Sequence, residues 1–189
     1  MKYKIANSNN LVAIAGRIGF ITPKFDSLTN VSIANNLRDN ETEWCYLNFS
    51  NPKNNFNGTN WADFANKNLK KGQFVLTVCY EKQNGEYINY YVNACNDKNL
   101  FYQIPNTEQI AVVGKVISIT KKSDDLYIVK IQVSNNQYDI TFMNTEKSHT
   151  TKFASKLSEN QYLGCIVTKK VKGQYTNYYA NAFEYGPKN

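Results

Sequence analysis

Two stretches of the sequence are nearly the same, and this repetition limits the fold more than any other feature. Gly85–Ala94 reads GEYINYYVNA, and 88 positions later Gly173–Ala182 reads GQYTNYYANA. Upstream, Asn10–Gly19 aligns in the same way with Glu108–Ile117. Similarity over this distance indicates two copies of a whole domain, because the repeats of solenoid proteins span only about 20 to 50 residues. We therefore expect two copies of one unit of roughly 85 residues.

The repeat also predicts the domain boundaries. A first domain spans residues 1–97, a linker containing Pro105 spans 98–107, and a second domain spans 108–189. The spacing between matching positions differs by about ten residues from one copy to the other, as insertions in surface loops would cause. Domains of this size bury a modest core. We therefore expect each copy to pack on the other copy or on a second chain, and we expect a homodimer.

Charge and aromatic content point to a polyanionic partner. The formal net charge is +7, the pI is near 9.1, and 14% of the residues are aromatic. Residues 1–105 hold 11 Lys and Arg against 8 Asp and Glu, and residues 106–189 hold 11 against 7. Cations neutralise phosphates and rings stack on bases, so the composition favours nucleic acid. The alternative is an ordinary domain from a genome biased towards Asn and Lys.

Other classes of protein are disfavoured. The four cysteines, Cys45, Cys79, Cys95 and Cys165, lie in apolar runs without CxxC spacing, which favours buried free thiols and a reducing compartment. We find no apolar signal core and no apolar run of membrane length, so we expect a cytoplasmic protein without membrane contact. His149 is the single histidine and lies in a polar stretch, which disfavours a metal site or a catalytic relay. We expect neither an enzyme nor a bound cofactor.

Hydrophobic periodicity predicts five strands and one short helix in each copy. In the first copy, the apolar strand Leu11–Ile21 contains Gly16 and Gly19, which mark bends or bulges. The other elements predicted there are the strands Leu28–Asn36, Glu43–Ser50, Phe74–Glu81 and Tyr87–Cys95, and the helix Trp61–Leu69 with Asn60 as N-cap and Gly72 as a left-handed cap. In the second copy we expect strands near Gln109–Thr120, Leu126–Asn135, Gln137–Met143, Tyr162–Val171 and Gln174–Glu184, and a helix near Thr150–Leu157.

The strand Glu43–Ser50 carries the clearest binding signal. Alternation puts Leu47 and Phe49 on a core face and Trp44 and Tyr46 on the opposite face. Two flat rings on an outer face form a platform for bases, and each stack is worth about 1 to 3 kcal/mol. The alternative is that a loop or a subunit interface covers both rings.

The two copies differ at this strand. In the second copy, alternation puts Ile140, Phe142 and Tyr138 inside and leaves Asp139 and Thr141 outside, where the first copy has rings. The last strand of each copy instead carries the same outer face of tyrosine and asparagine: Tyr87, Asn89, Tyr91 and Asn93, and then Tyr175, Asn177, Tyr179 and Asn181. This face suits a ligand, but an ordinary half-exposed strand has the same pattern because tyrosine is a good strand former.

The order of these motifs resembles the bacterial single-stranded-DNA-binding protein family. The matching segments are Asn10–Gly19, Glu43-Trp44 with Phe49, the helix running into Lys70-Lys71-Gly72, and the turn at Asn84-Gly85 before a tyrosine-bearing strand. The resemblance covers most of residues 9–95 and, more weakly, 107–184. It implies a mainly β chain of two tandem OB-fold barrels, each with five strands and a helix between the third and fourth, and a stacking role for Trp44. Phe49 stands one residue early for the family's second stacking ring, so we expect it in the core.

The combined signals predict sequence-nonspecific binding of single-stranded DNA in replication or recombination, with RNA as another compatible ligand and a phage, plasmid or other mobile element as a compatible source. The stacking residues are predicted to be Trp44, Tyr46, Trp61, Tyr80, Tyr87 and Tyr91, and the phosphate-binding residues Arg17, Lys70, Lys71, Lys121, Lys122, Lys169, Lys170 and Lys172. Trp61 stands at a loop and helix junction, where packing and ligand contact are equally compatible. Each lysine is also compatible with a solvated surface charge.

An alternative function is an assembly module that binds a polymerase, primase or helicase, with DNA contact secondary. The inequality of the two copies favours this alternative. So does the last stretch, EYGPKN, which lacks the acidic tail through which the resembled family recruits replication partners.

Overall fold

The computed structural model describes residues 1–8, 10–36, 42–51, 59–145 and 148–188. The chain divides into two compact units, Met1–Cys95 and Asn96–Asn189. Both units consist mainly of β-strands, with a short helix in each. Within the described ranges, no helix is long and apolar enough to cross a membrane.

Unit 1 is a closed five-stranded barrel with one additional edge strand. Its elements are β1 (Lys2–Lys4), β2 (Leu11–Phe25), β3 (Leu28–Asn36), β4 (Thr42–Ser50), α1 (Trp61–Asn68), β5 (Phe74–Asn84) and β6 (Tyr87–Asn96). The strand order is β1-β2-β3-β4-β6-β5, and β5 also pairs with β2, which closes the barrel. β4 and β6 run parallel, with Leu47 opposite Tyr90 and Asn48 opposite Tyr91.

Unit 2 repeats this arrangement. Its elements are β7 (Leu100–Gln103), β8 (Gln109–Ser123), β9 (Leu126–Val133), β10 (Asn136–Thr145), β11 (Ser148–His149), α2 (Thr151–Ala154), β12 (Gln161–Lys172) and β13 (Tyr175–Lys188). β8, β9, β10, β13 and β12 form a ring, because β9 pairs with both β8 and β10. β10 and β13 again run parallel. The predicted fold class, mainly β with two tandem OB-fold barrels and a helix between the third and fourth barrel strands, is confirmed.

Besides the short β11, each unit has an edge strand near its start that the sequence analysis did not predict. β1 pairs with β2, and β7 pairs with β8. β7 lies inside the segment 98–107 that we expected to be a linker, so this part of the segment belongs to the fold of unit 2. The signal was present in the sequence, because KYKI at Lys2–Ile5 and FYQI at Phe101–Ile104 share a tyrosine and an isoleucine. Both isoleucines are buried.

The inward-facing side chains of the strands, every second residue, fill the two cores. Leu47 and Phe49 on β4 are completely buried, and so are Ile140 and Phe142 on β10. Phe49 therefore lies in the core, as its position one residue early predicted. Tyr138, also expected inside, is half-buried, and its ring stacks on another ring of unit 2 at a centroid distance of 4.4 Å.

All four cysteines are buried free thiols, as the sequence predicted. Burial raises the pKa of the Cys79 thiol to about 12. Burial also raises the pKa of Cys165 above its usual range. A thiol that stays protonated is a poor nucleophile, so these cysteines act as small apolar core residues.

Helix α1 begins at the predicted residue, but the residues that we expected to cap its two ends do not do so. Asn60 makes no side-chain cap, and its Nδ2 donates to Oδ2 of Asp63 at 2.9 Å. The amide of Ala62 instead donates to Oδ1 of Asn51 at 2.8 Å, so the loop before the helix supplies one acceptor. Gly72 has a φ of +81°, but it lies in the turn before β5 and not at the helix end.

We expect the substitution Gly16→Ala to destabilise unit 1. An added Cβ at Gly16 would overlap the carbonyl oxygen of Ala34, and one at the equivalent Gly114 would lie 2.6 Å from the carbonyl oxygen of Gln132. Because the obstacle is backbone, which cannot move aside cheaply, the free energy of unfolding should fall by about 1–3 kcal/mol. Urea denaturation followed by tryptophan fluorescence measures this change, since both tryptophans belong to unit 1.

The matched control is Lys24→Ala, at an exposed position of the same strand. This substitution should change the free energy of unfolding by less than about 0.5 kcal/mol. A Gly16→Ala protein as stable as the Lys24→Ala protein would contradict the close approach of β2 and β3.

Candidate nucleic-acid interface

A β-bulge at Gly19 turns Phe20 towards solvent. Ile18 pairs with Ile33 and Phe20 pairs with Ser32, so Gly19 is an extra residue in β2. Without the bulge, alternation from the buried Ile18 would put Phe20 in the core, but Phe20 is 60% exposed. Its amide donates to Oγ of Ser32 at 2.8 Å. The sequence analysis missed Phe20 as a candidate, although Gly19 carried the signal.

Three rings lie together on the outer face of β2, β3 and β4. Trp44 and Tyr46 are 44% and 65% exposed, on the face that alternation predicts. Phe20 lies opposite Ser32, which in turn lies opposite Tyr46. The ring centroids of Phe20 and Trp44 are 6.2 Å apart. We call Phe20, Trp44 and Tyr46 the ring platform.

The indole of Trp44 lies against Gly19, where the absence of a side chain leaves room for it. A Cβ added at Gly19 would lie 2.7 Å from Cη2 of Trp44. The bulge glycine therefore has two effects on the ring platform. It turns Phe20 outward, and it leaves the space that the indole of Trp44 occupies.

Basic residues border the ring platform. Nζ of Lys71 lies 5.2 Å from the centroid of the Phe20 ring, a contact worth about 0.5–1 kcal/mol at an exposed site. The guanidinium of Arg17 donates to the carbonyl oxygen of Gly72 at 3.2 Å. The amide of Gly72 donates to the carbonyl oxygen of Ile18 at 2.7 Å, which ties this turn to β2 beside the bulge. The fold thus brings cations from two distant segments next to the rings.

Three more of the predicted tyrosines lie on the surface of unit 1 along the β5–β6 hairpin. Tyr91 is half-buried and lies beside Asn48 of β4 in the parallel pair. Tyr80 is 42% exposed and Tyr87 is 77% exposed. The hairpin therefore carries rings along its length, from Tyr91 next to β4 to the exposed Tyr87 beside the turn.

Trp61, for which the sequence left two roles open, packs on the core. Its ring lies 5.4 Å from that of Phe64 and 6.3 Å from that of Phe49, both in edge-on geometry. The side chain is partly buried against the core of unit 1. This packing accounts for a large apolar ring at the start of α1.

Unit 2 has polar side chains where unit 1 has the ring platform. The strand registers align Phe20, Trp44 and Tyr46 of unit 1 with Ser118, Gln137 and Asp139 of unit 2. Nζ of Lys130 lies 4.0 Å from Oδ1 of Asp139. Asp139 and Thr141 lie on the outer face, as alternation predicts. This face of unit 2 therefore offers polar groups and no stack of rings.

The lysines predicted to bind phosphate differ in their surroundings. Lys121 forms an ion pair with Asp124 at 2.6 Å, and this hydrogen bond raises the pKa of Lys121 and lowers that of Asp124. Lys70 and Lys122 are exposed. The remaining lysines, Lys169, Lys170 and Lys172, lie at the exposed end of β12. These three are farther from carboxylates in sequence than Lys121 is.

Metal-binding clusters and the single histidine were the remaining candidates for chemistry. Across the described residues, no group of three His, Cys, Asp or Glu side chains is placed to hold a metal ion. His149 is exposed on β11, as its polar surroundings in the sequence predicted.

No family model and no curated protein matches this chain. Solved structures do match over nearly the whole of both chains. They include a deletion mutant of the single-stranded DNA binding protein from Thermus aquaticus, with a TM-score of 0.34, 11% identity and coverage of 98% of each chain. A murine DNA binding protein bound with double-stranded DNA matches with a TM-score of 0.32 and 10% identity, over 92% of this chain and 94% of that chain.

The Ifi202 HINa domain in complex with 20-base-pair double-stranded DNA matches with a TM-score of 0.37 and 8% identity, over 92% of this chain and 95% of that chain. The fold assignment rests on the strand order and registers described above.

We expect Gly19→Ala to displace the ring of Trp44. The added methyl group would occupy the space of the indole, and the end of a side chain moves aside more easily than backbone does. Trp44 should therefore become more accessible to acrylamide, with a smaller loss of stability than for Gly16→Ala. Stern–Volmer quenching of tryptophan fluorescence measures this accessibility.

Gly85→Ala serves as the control for this experiment. A Cβ at Gly85 meets nothing within 4 Å, although its φ of +61° strains any other residue. Quenching should stay at the wild-type level in this variant. Equal quenching in the Gly19→Ala protein would refute the contact between Gly19 and Trp44.

Proposed function

We propose that this protein binds single-stranded DNA without sequence preference, as part of DNA replication or recombination. The observation that carries the proposal is the ring platform, in which Phe20 on the first strand and Trp44 and Tyr46 on the third strand of an OB-fold barrel are exposed on either side of the second strand. This is the face on which OB-folds bind oligonucleotides. Lys71 and Arg17 border the rings with positive charge.

The kinds of group on this face favour stacking over base reading. Every base has a flat π face, so stacking on rings tolerates any sequence. Beside the Ser32–Tyr46 pair, Nδ2 of Asn30 donates to Oδ1 of Asn48 at 2.7 Å across the same two strands. This bond occupies groups that could otherwise contact base edges. The proposal is therefore affinity from stacking and charge, with little discrimination between bases.

The proposed contacts extend the predicted set in one place and shorten it in another. The stacking residues are Phe20, Trp44, Tyr46, Tyr80, Tyr87 and Tyr91, and the phosphate-binding residues are Arg17, Lys70, Lys71, Lys122, Lys169, Lys170 and Lys172. Trp61 is omitted because its ring packs on Phe64 and Phe49. Lys121 is expected to contribute least because Asp124 already neutralises it.

A second candidate function is an assembly module that binds a replication protein. The observation that favours it is the outer sheet face of unit 2, where Lys130 pairs with Asp139 in place of exposed rings. This face offers no rings for base stacking, whereas its polar groups are of the kind found at the rim of a protein interface. The two functions predict different results when the ring platform is altered.

We expect Trp44→Ala to weaken binding to oligo(dT). Loss of one base stack costs about 1–3 kcal/mol, which corresponds to an affinity about 5- to 150-fold lower. Fluorescence anisotropy of a labelled oligonucleotide at low salt measures the affinity. Quenching of the wild-type tryptophan fluorescence by unlabelled oligo(dT) provides an independent signal from unit 1.

The matched control is Gln137→Ala, at the position in unit 2 that corresponds to Trp44. This substitution should leave the affinity within about twofold of wild type, since it removes no ring. If Trp44→Ala left the DNA affinity unchanged while binding to a partner protein was lost, the assembly function would replace the proposed one.

A further inference from the structure

The hairpins of the two units carry opposite charge. In unit 2, residues 168–176 at the β12–β13 turn read TKKVKGQYT, with three lysines and no acidic residue, a net charge of +3. The equivalent residues 80–88 at the β5–β6 turn of unit 1 read YEKQNGEYI, with one lysine and two glutamates, a net charge of −1. Aligned on Gly85 and Gly173, Lys169 replaces Glu81. The same structural element is therefore basic in one copy and slightly acidic in the other.

Two of these lysines lie on the face that also carries the tyrosines. Lys172 pairs with Tyr175 and Lys170 pairs with Asn177 across the hairpin. Since successive side chains of a strand alternate between faces, Lys170 and Lys172 share one face and Lys169 lies on the other. Nζ of Lys170 lies 5.5 Å from the centroid of the Tyr179 ring. Tyr175, at the end of the hairpin, is 67% exposed.

The charge of this face is open to a ligand. None of the ion pairs among the described residues involves Lys170 or Lys172, whereas Lys121 and Lys130 are paired with carboxylates. Both lysines are exposed. A pair of exposed cations that form no ion pair, on a continuously paired hairpin, is suited to an extended polyanion, because binding releases the counterions that surround the ligand.

We propose that the β12–β13 hairpin of unit 2 binds the phosphodiester backbone of a single strand through Lys170 and Lys172, independently of the bases. This inference rests on the proposed function and deepens it. Unit 1 would hold bases on its ring platform, and unit 2 would hold the charged backbone. The polar residues Ser118, Gln137 and Asp139 in place of the ring platform agree with a unit that does not depend on stacking.

A strand without bases separates the two contributions. The probe is a fluorescently labelled oligomer of abasic deoxyribose phosphates, compared with oligo(dT) of the same length by anisotropy over a range of salt concentrations. We expect the full chain to bind the abasic oligomer, more weakly than oligo(dT). The double substitution Lys170→Gln with Lys172→Gln should reduce the slope of log K against log salt by about 1.4, from about 0.7 per phosphate contact. Tryptophan quenching at saturating oligo(dT) should stay at the wild-type amplitude.

Two controls separate this contact from general charge and from stacking. Lys152→Gln with Lys156→Gln removes the same charge from exposed positions of unit 2 near α2. This variant should keep the wild-type slope. Trp44→Ala should lower the affinity for oligo(dT) while the affinity for the abasic oligomer stays at the wild-type value.

The outcomes distinguish this inference from the proposed function. If oligo(dT) binds with tryptophan quenching but the abasic oligomer does not bind, the backbone contact is wrong and the proposed function stands. The inference is also overturned if the Lys170/Lys172 and Lys152/Lys156 double variants show the same salt slope. It is likewise overturned if Trp44→Ala lowers the affinity for the abasic oligomer as much as the affinity for oligo(dT). If neither oligomer binds at low salt, both proposals fail.

Discussion

The closure of each sheet into a barrel is the constraint on which the other features of the structure depend. β5 pairs back with β2 in unit 1, and β9 joins β8 to β10 in unit 2, so every barrel strand has neighbours on both sides. Closure gives each strand one inward and one outward set of side chains. The inward set must fill a narrow interior, whereas the outward set carries no such demand. The outer face is therefore where the two copies are able to differ without loss of the fold.

The third barrel strand of each unit illustrates this freedom. Phe49 and Phe142 fill the two interiors and are completely buried. At an outward position of the same strands, Tyr46 of unit 1 corresponds to Asp139 of unit 2. An exchange of a ring for a carboxylate would be costly inside, where an unpaired charge loses its hydration. On the outer face it changes the surface chemistry and leaves the core packing as it is.

Alternation was sufficient to predict the barrel strands, the core residues and the outward rings of β4, because a half-buried strand has a strict period of two. Alternation failed where a bulge interrupts the period of two and where a strand is too short to show it. Phe20 follows the bulge at Gly19, which reverses the inward and outward positions that the preceding residues set. β1 has three residues and β7 has four, too few for a periodic signal. Trp61 had two compatible roles because packing against Phe49 depends on the tertiary fold.

The placement of cations relative to rings has a physical reason. A cation is attracted to the face of an aromatic ring, as Lys71 on Phe20 and Lys170 on Tyr179 illustrate. A lysine in the middle of the ring platform would therefore compete with bases for the same faces. With the cations at the border of the platform and on the hairpin of the other unit, Trp44 and Tyr46 keep faces that a base can cover. In the proposed function, stacking and phosphate contact then contribute separately to affinity, and only the phosphate contribution falls steeply with salt.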